Sequence, residues 1–228
     1  LEFDVVFEDE HVKIKTALIG EFNASNLLAV LSTLLACGLS LSDAVKSLQE
    51  IQPIPGRMEK FGGGSLPLVV IDFAHTPEAL EKTLIALRVV INSAKDATKI
   101  KNKKSKLICI FGCGGDRDQD KRALMGKIAT ELSDETIITS DNPRNEDPCS
   151  IINEIVLGAG INYLVQENRE AAIRRALYGA HKGDIVLIAG KGHEAYQEIG
   201  KKRFPFSDAK VVRLILQELT SKVQGHQE

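Results

Sequence analysis

The feature that most constrains the fold is an alternation of short apolar runs with amphipathic segments in the last three quarters of the chain. The runs, at residues 68–71, 107–111, 136–139 and 185–189, are almost wholly apolar. Each is followed by a segment whose apolar residues recur at helical spacing. Strands that are apolar on both faces are typical of a parallel sheet covered by helices on both sides. We therefore predict an α/β domain with a mostly parallel sheet and helices on both faces.

A segment rich in proline and glycine, residues 52–56 (QPIPG), predicts a boundary because it disfavours both helix and strand. Residues 1–52 predict a β-hairpin and two short helices, the first capped by Asn23 and the second by Ser40. These elements are too few for an independent core. We therefore predict that residues 1–52 end a larger domain and that residues 53–228 form the α/β domain.

Charge and composition exclude several classes of function. The chain has 29 lysines and arginines against 31 acidic residues, a balance that argues against a dedicated nucleic-acid binder. No apolar run approaches the roughly 18 residues of a membrane helix, and no signal peptide is predicted. Four cysteines without a CxxC pair predict free thiols in a reducing compartment. The lysine-rich residues 99–106 predict a solvated loop, with phosphate contact as the alternative. The chain has no initiator Met, and we expect it to be a fragment.

Polar segments, two of them rich in glycine, directly follow the apolar runs. They lie at residues 72–76 (DFAHT), 112–118 (GCGGDRD), 140–145 (SDNPRN) and 190–194 (GKGHE). The carboxyl ends of parallel strands meet at one edge of the sheet, where open α/β sheets bind ligands. Together these segments carry Asp, His, Arg, Asn, Lys and Glu side chains. We therefore predict a shared polar site at this edge.

Two arginines indicate the charge of the ligand. A guanidinium recognises a carboxylate through two parallel hydrogen bonds, so Arg117 and Arg144 at one cleft suit a ligand with two carboxylates. The turn at Asn142 aims Arg144 because the following proline restricts the backbone. The alternative is that Arg144 forms a surface ion pair with Glu146 or Asp147.

The other candidate residues each have an alternative structural role. Glu194 is suited to accept hydrogen bonds from a ligand ammonium group, or it pairs with Lys191. Asp72 and His75 are suited to a ligand, or they satisfy the first amides of the following helix. The glycines around Gly114 allow close backbone approach to a ligand, or they form an ordinary turn.

Several well-known motifs are absent from the sequence. It contains no G-x-x-x-x-G-K-[ST] loop, no HExxH and no GxSxG. Residues 112–117 do not match GxGxxG because the last position is arginine, which disfavours a dinucleotide cofactor. By itself the chain therefore carries only half of a site for phosphate chemistry.

The order and spacing of the motifs resemble those of the Mur ligases. The matching segments are residues 20–26, 56–59, 72–77, 112–122, 141–144 and 190–194. The resemblance runs from about Gly20 to Phe206 and implies a Rossmann-like C-terminal domain at residues 53–228. It also implies that residues 1–52 end a central ATPase domain, whose phosphate-binding loop and magnesium site lie outside this chain.

The resemblance assigns two sets of residues to ligands and no catalytic residue or metal ligand. The set for meso-diaminopimelate is Arg117, Asp141, Asn142, Pro143, Arg144, Gly190 and Glu194. The set for the nucleotide is Asn26, Arg57, Asp72 and His75. In this assignment Arg144 holds the far carboxylate and Glu194 the far ammonium. An intact 141–144 segment (DNPR) favours diaminopimelate over lysine, which has no second carboxylate.

The resemblance implies ATP-dependent amide ligation in peptidoglycan precursor synthesis, in the cytoplasm. ATP phosphorylates the D-glutamyl carboxylate of a UDP-N-acetylmuramoyl dipeptide, and the amine of meso-diaminopimelate attacks the acyl phosphate. Mg²⁺ offsets the charge of the phosphates. We expect a monomer, and no ligase activity from this chain alone. The alternatives are a lysine-adding ligase of the same family and a non-catalytic α/β module that binds a small dicarboxylate.

Overall fold

A computed structural model describes residues 1–98 and 105–224 of the chain. They form two compact units, Leu1–Ile54 and Pro55–Glu228, and the division falls inside the proline-rich segment 52–56. Residues 99–104 of the predicted lysine-rich loop lie outside the described residues. No helix in the described ranges is long and apolar enough to cross a membrane.

The first unit is a β-hairpin followed by two helices. Strands β1 (Glu2–Phe7) and β2 (Glu10–Lys15) pair antiparallel, and helices α1 (Phe22–Ala36) and α2 (Leu41–Gln49) follow. Its small apolar core comprises Val5, Ile14, Leu27, Leu31, Leu41, Ala44, Val45 and Leu48.

The two predicted caps of this unit have different outcomes. Ser40 caps α2 as predicted, because its side chain accepts a hydrogen bond from the Asp43 N–H. The prediction for Asn23 is wrong, since α1 already begins at Phe22. The Asn23 side chain lies inside the first turn and donates backwards to the Ile19 carbonyl at 2.7 Å. Its amide therefore ties down the preceding loop instead of capping the helix.

The second unit is built on one six-stranded sheet. Its strands are β3 (Glu59–Gly62), β4 (Leu68–Asp72), β5 (Leu107–Phe111), β6 (Glu135–Ile138), β7 (Tyr163–Val165) and β8 (Ile185–Ala189). The strand order is β3-β4-β8-β5-β6-β7, and all neighbours are parallel except β3, which is antiparallel to β4. The predicted mostly parallel α/β fold is confirmed. Strand β3 was not predicted because it is a short edge strand that follows the boundary segment directly.

Helices cover the sheet on both faces. They are α3 (Pro77–Thr98), α4 (Lys121–Leu132), α5 (Pro148–Val156), α6 (Arg169–Gly179) and α7 (Asp208–Gln224). Helices α6 and α7 share one core with Val69 and Ile71 of β4. Successive strand residues point to opposite faces, so the buried Val70 faces the other layer. A separate hairpin, β9 (Tyr196–Ile199) and β10 (Lys202–Pro205), follows β8.

Helix α4 buries a different face from the one predicted. The expected apolar face was Leu124, Ile128 and Leu132, but Leu124 is 48% exposed. The buried residues are Arg122, Met125, Gly126, Ala129 and Thr130. Helix α5 approaches so closely that a Cβ on Gly126 would overlap the Ile155 carbonyl oxygen. The face is therefore set by close helix contact at a glycine, which apolar periodicity does not reveal.

Candidate functional site

The loops after β5 and β6 interlock through their backbones. The Gly115 N–H donates to the Asn142 carbonyl at 2.9 Å. A Cβ on Gly115 would overlap the Pro143 carbonyl oxygen, and a Cβ on Gly112 would overlap the Thr139 carbonyl oxygen. These glycines are therefore required for close approach of two loops, not only for a local turn.

Arg144 is held by its backbone and by its side chain. Its φ of +50° lies in the left-handed region, and its N–H donates to the Glu198 carbonyl at 3.0 Å. The side-chain Nε donates to Glu198 Oε2 at 3.2 Å, and Nη1 donates to the Gly115 carbonyl at 2.7 Å. Within residues 1–98 and 105–224, Nη2 makes no hydrogen bond to a side chain or carbonyl. The guanidinium is thus oriented while part of it stays available to a ligand.

The alternative partners considered for Arg144 are engaged elsewhere. Glu146 accepts hydrogen bonds from Arg122, and Asp147 caps α5 by accepting from the Ser150 N–H. The surface ion pair of Arg144 with Glu146 or Asp147 is therefore wrong. The actual partner, Glu198, lies in hairpin β9–β10, and the local sequence does not indicate that its carboxylate reaches Arg144.

Arg117 stands beside Arg144, as the dicarboxylate hypothesis requires. A Cβ built on Gly114 would lie 2.9 Å from Arg144 Nη1 and 3.7 Å from Arg117 Cγ, so both arginines flank the same glycine. Arg117 is exposed, and among the described residues its Nη1 donates to the neighbouring Asp116 carbonyl alone, at 3.3 Å. The two guanidinium groups predicted to hold carboxylates thus occupy one edge of the sheet.

Glu194 is joined to this edge through two buried polar side chains. Asn142 Nδ2 donates to Glu194 Oε2 at 2.8 Å, and Lys191 Nζ donates to the same oxygen at 2.9 Å. Lys191 Nζ also donates to Asn142 Oδ1 at 2.9 Å, which accepts the Glu198 N–H as well. The pairing of Glu194 with Lys191, which was the alternative to a ligand role, is present. It uses one carboxylate oxygen and leaves Oε1 for a ligand.

These contacts keep Glu194 ionised. Burial by itself would raise the pKa of Glu194, but hydrogen bonds from Lys191 and Asn142 outweigh it. The nearby charge of Arg144 acts in the same direction, so the pKa of Glu194 lies below its ordinary value. A carboxylate that is ionised, oriented and only partly used suits an ammonium group.

We predict that Lys191→Met raises the pKa of Glu194, because burial then acts with less opposition. Arg144 and the Asn142 amide still favour the ionised form, whereas the buried Asp141 opposes it. Titration of the Glu194 carboxyl carbon by NMR should show its midpoint moving to higher pH. Lys127→Met, which removes an exposed lysine on α4 at 60% side-chain exposure, should leave the midpoint in place. An unchanged midpoint in Lys191→Met contradicts the prediction.

Asp141 and Gly190 form the floor of the site. Asp141 is buried and accepts the Asn142 N–H at 2.7 Å. Burial raises the pKa of Asp141, while the charges of Arg169 and Lys191 lower it. A Cβ on Gly190, at φ +112°, would lie 2.8 Å from Asp141 Oδ2. Position 190 therefore requires glycine. Contact of Asp141 or Gly190 with a ligand stays a prediction.

Part of the predicted nucleotide set gathers around an aromatic side chain. The Arg57 guanidinium carbon lies 4.7 Å from the Phe73 ring centroid, and the His75 and His193 rings lie 4.6 and 5.8 Å from it. His75 Nδ1 donates to the Phe73 carbonyl, and Lys121 Nζ donates to the His75 carbonyl, both at 2.8 Å. We call these five residues the Phe73 cluster. Phe73, Lys121 and His193 were missed, although each lies within a quoted motif.

The other two residues of that set are placed differently. Asp72 Oδ2 accepts from the Met58 N–H at 2.9 Å, and Oδ1 accepts from the Ala74 N–H and the Thr83 hydroxyl. Asp72 is buried, which raises its pKa, and its observed contacts tie β4 to neighbouring backbone. Asn26 is exposed on α1 of the first unit. A role for either residue in nucleotide binding stays a prediction.

The cysteines and metal-ligand types add no second centre in the part of the chain described. All four cysteines are free thiols, as predicted. Burial raises the pKa of Cys109 and of Cys113 to about 12, so both stay protonated at neutral pH. Within residues 1–98 and 105–224, no group of three or more His, Cys, Asp and Glu side chains is arranged to hold a metal ion.

Similarity to known proteins covers the whole of this edge. Residues 56–192 match the family described as Mur ligase, glutamate ligase domain. The chain is 52% identical over 227 residues to the UDP-N-acetylmuramoyl-L-alanyl-D-glutamate–2,6-diaminopimelate ligase of Nitrosomonas europaea, covering 98% of the chain and 44% of that relative. It is 49% identical over 201 residues to the ligase of the same name from Chromobacterium violaceum, covering 88% and 39%. The chain thus spans less than half the length of these curated relatives.

Solved structures show the same fold. A structure of a UDP-N-acetylmuramoyl-L-alanyl-D-glutamate–2,6-diaminopimelate ligase superposes with a TM-score of 0.67 at 36% identity, covering 96% of this chain and 43% of that one. The UDP-N-acetylmuramate-alanine ligase of Thermotoga maritima superposes with a TM-score of 0.61 at 18% identity, covering 92% and 40%. At that identity the second likeness shows the fold alone.

Proposed function

Because this chain belongs to the Mur ligase family, we propose that it supplies the amino-acid site of a UDP-N-acetylmuramoyl-L-alanyl-D-glutamate–2,6-diaminopimelate ligase. One observation carries the proposal. Arg117 and Arg144 flank Gly114, and Asn142, in the same loop as Arg144, donates a hydrogen bond to the ionised Glu194. The two guanidinium groups match the two carboxylates of diaminopimelate, and the carboxylate of Glu194 matches the ammonium group at its far end. Relatives of that name share 45–52% of their aligned residues with the chain.

The roles of the chain's residues follow from their contacts. Arg144 presents Nη2 to the far carboxylate, and Glu194 presents Oε1 to the far ammonium. Arg117, which is exposed, is placed to meet the second carboxylate. Asn142 holds the acidic and basic parts in a fixed relation. Orientation of an amine toward a reactive carbonyl contributes roughly 7 kcal/mol or more in favourable cases, so positioning is this unit's main chemical contribution.

We propose that the Phe73 cluster faces the ATP of the same reaction. Arg57 lies over the Phe73 ring and Lys121 lies beside it, and cations next to an aromatic ring suit an anionic ligand that carries a planar base. The His75 ring also contacts Phe73. Asp72 then acts through the loop that it braces. Asn26 belongs to the predicted set but lies in the first unit. Magnesium offsets phosphate charge in such ligases, and no described residue of this chain is assigned to it.

The proposed setting is peptidoglycan precursor synthesis in the cytoplasm, with the chain acting as part of a monomeric enzyme. The reaction joins diaminopimelate to the D-glutamyl carboxylate of UDP-N-acetylmuramoyl-L-alanyl-D-glutamate by an amide bond at the expense of ATP. Four free thiols agree with a reducing compartment. The names of the relatives support the substrates.

The test is phosphate release by the enzyme that contains this chain, with the UDP-linked dipeptide, ATP and either meso-diaminopimelate or L-lysine. We expect kcat/KM for diaminopimelate to exceed that for lysine by about 100-fold or more, since lysine leaves the half-buried Arg144 without its carboxylate. Equal values, or a preference for lysine, would refute the proposed substrate. Saturable diaminopimelate binding without any phosphate release would identify a non-catalytic dicarboxylate module instead.

A further inference from the structure

A buried arginine outside the predicted site connects the two loops that carry Arg117 and Arg144. Arg122 lies in the first turn of α4, and its side chain is 0% exposed. Nη1 and Nη2 donate to the two carboxylate oxygens of Glu146 at 2.8 and 2.9 Å. Nη1 also donates to Glu154 on α5 at 2.9 Å, and Nη2 donates to the Gly114 carbonyl at 3.3 Å.

The partners of Arg122 belong to the site's own loops. Gly114 is the glycine that both site arginines flank, and Glu146 follows Arg144 by two positions. Glu146 Oε1 also accepts the Asp116 N–H at 2.5 Å. One carboxylate therefore connects the loop after β6 to both the loop after β5 and the start of α4.

We propose that Arg122 is a positioning residue that sets the spacing between Arg117 and Arg144 and thereby the fit of an amino acid with two carboxylates. This inference rests on the proposed function for its substrate. Arg122 is fully buried, so it acts through Gly114 and Glu146 and not by touching the ligand.

The chemistry of the guanidinium explains why arginine is needed at this position. Its planar fork donates to both oxygens of Glu146 while a further N–H reaches the Gly114 carbonyl. A lysine ammonium keeps the charge but is a single point donor, and it cannot reproduce that fork. Hydrogen bonds from Arg122 also lower the pKa of Glu146, so the Glu146 carboxylate stays ionised at neutral pH.

The test is Arg122→Lys in the enzyme that contains this chain, with two kinds of readout: hydrogen exchange at the loop amides and the Michaelis constants of the substrates. Hydrogen exchange at the Gly115 and Asp116 amides, which donate across the loops, should become at least about 10-fold faster. The KM for diaminopimelate should rise about 10- to 100-fold, because a displacement of about 1 Å has effects of that order. The KM for ATP should stay within about twofold.

Arg88→Lys is the matched control. Arg88 also donates to a carboxylate, Asp134 Oδ2, at 2.7 Å, and to the Leu132 carbonyl. That carboxylate accepts the N–H of Leu107, where β5 begins, so the pair lies at the edge of the sheet opposite the site. We expect neither the exchange of the two loop amides nor either KM to change.

A second variant separates loop positioning from simple attachment of α4 to α5. Glu154→Gln weakens only the contact of Arg122 with α5 and should leave both readouts unchanged. If it reproduces Arg122→Lys, the proposal is overturned, because the arginine then acts as helix packing. Should Arg122→Lys fail to fold, Glu146→Gln is measured in the same two ways.

For Arg122→Lys itself, three outcomes overturn the inference: unchanged exchange at Gly115 and Asp116, faster exchange with an unchanged KM for the amino acid, or equal rises in both KM values. The exchange measurement needs no substrate. A wild-type enzyme that uses lysine would therefore refute the proposed substrate, while loop exchange and the KM for lysine would still decide the role of Arg122.

Discussion

Arg144→Ala is expected to raise the KM for diaminopimelate by about 100-fold or more and to leave the KM for ATP within about twofold. Each hydrogen bond to a charged group contributes about 1.5–3 kcal/mol, and tenfold in affinity corresponds to about 1.4 kcal/mol. Nη2 of Arg144 carries two N–H groups, so the loss of its proposed hydrogen bonds to the far carboxylate reaches this range. Initial rates of phosphate release at varied diaminopimelate and varied ATP measure both constants. A similar rise in the two constants would contradict the assigned role.

A companion variant separates the ligand contact from the structural contacts of Arg144. The arginine also pairs with Glu198, whose side chain is 23% exposed and would lose that cation. Arg144→Ala combined with Glu198→Ala removes both partners, which avoids a stranded charge. We expect the KM for diaminopimelate to stay high in this double variant. Recovery toward the wild-type value would mean that the stranded Glu198 caused the loss.

Asp208→Asn is expected to lower the free energy of unfolding by about 3–5 kcal/mol, because it removes the carboxylate charge that is hydrogen-bonded to a buried arginine. Arg169 and Asp208 are both 0% exposed, with Nε to Oδ1 at 2.9 Å and Nη2 to Oδ2 at 2.8 Å. Arg169 Nη1 is buried and has no hydrogen-bond partner in the described residues. This nitrogen therefore supplies no hydrogen bond that would compensate for the lost charge of Asp208. Urea denaturation of the chain, followed by circular dichroism, measures the change.

Exposed and apolar variants serve as controls for this pair. Glu131→Gln breaks the exposed pair with Lys127 on α4 and should cost no more than about 0.5 kcal/mol. Replacing both members of the buried pair, as in Arg169→Met with Asp208→Leu, should restore much of the lost stability, since no buried charge remains. A loss in Asp208→Asn no larger than that of Glu131→Gln would contradict the prediction.

The buried pair also connects stability to the site. Arg169 Nη2 donates to the carbonyl of Ala189 at 3.0 Å, the last residue of β8. Gly190 and Lys191 follow immediately, so the pair anchors the strand end from which the 190–194 segment departs.

The position of the site was predictable because parallel strands impose it. Apolar runs identified β4, β5, β6 and β8, and polar residues followed each run. Parallel pairing brings those residues to one edge whatever the order of the strands. Arg117, Arg144 and Glu194 therefore could be grouped before any coordinates, although they are separated by up to 77 positions in the chain.

The contacts within the site were less accessible to sequence reasoning. Glu198 pairs with Arg144 across 54 positions, because the hairpin after β8 folds back over the loop after β6. Arg122 reads as an ordinary exposed residue at the start of a helix, yet it is fully buried. Its contacts with Gly114, Glu146 and Glu154 come from two loops and a second helix, which the apolar positions of α4 did not indicate.

What the sequence alone determined is the main strands and helices, the edge of the sheet at which the polar segments gather and the charges collected there, because these follow from local periodicity and strand direction. The tertiary structure alone decided the strand order with β8 between β4 and β5, the orientation of each guanidinium, and the buried partners that hold it. The physical reason is range. Backbone preferences act between neighbours in the chain, whereas hydrogen bonds and close packing join residues that only the completed fold brings within 3 Å or so of each other.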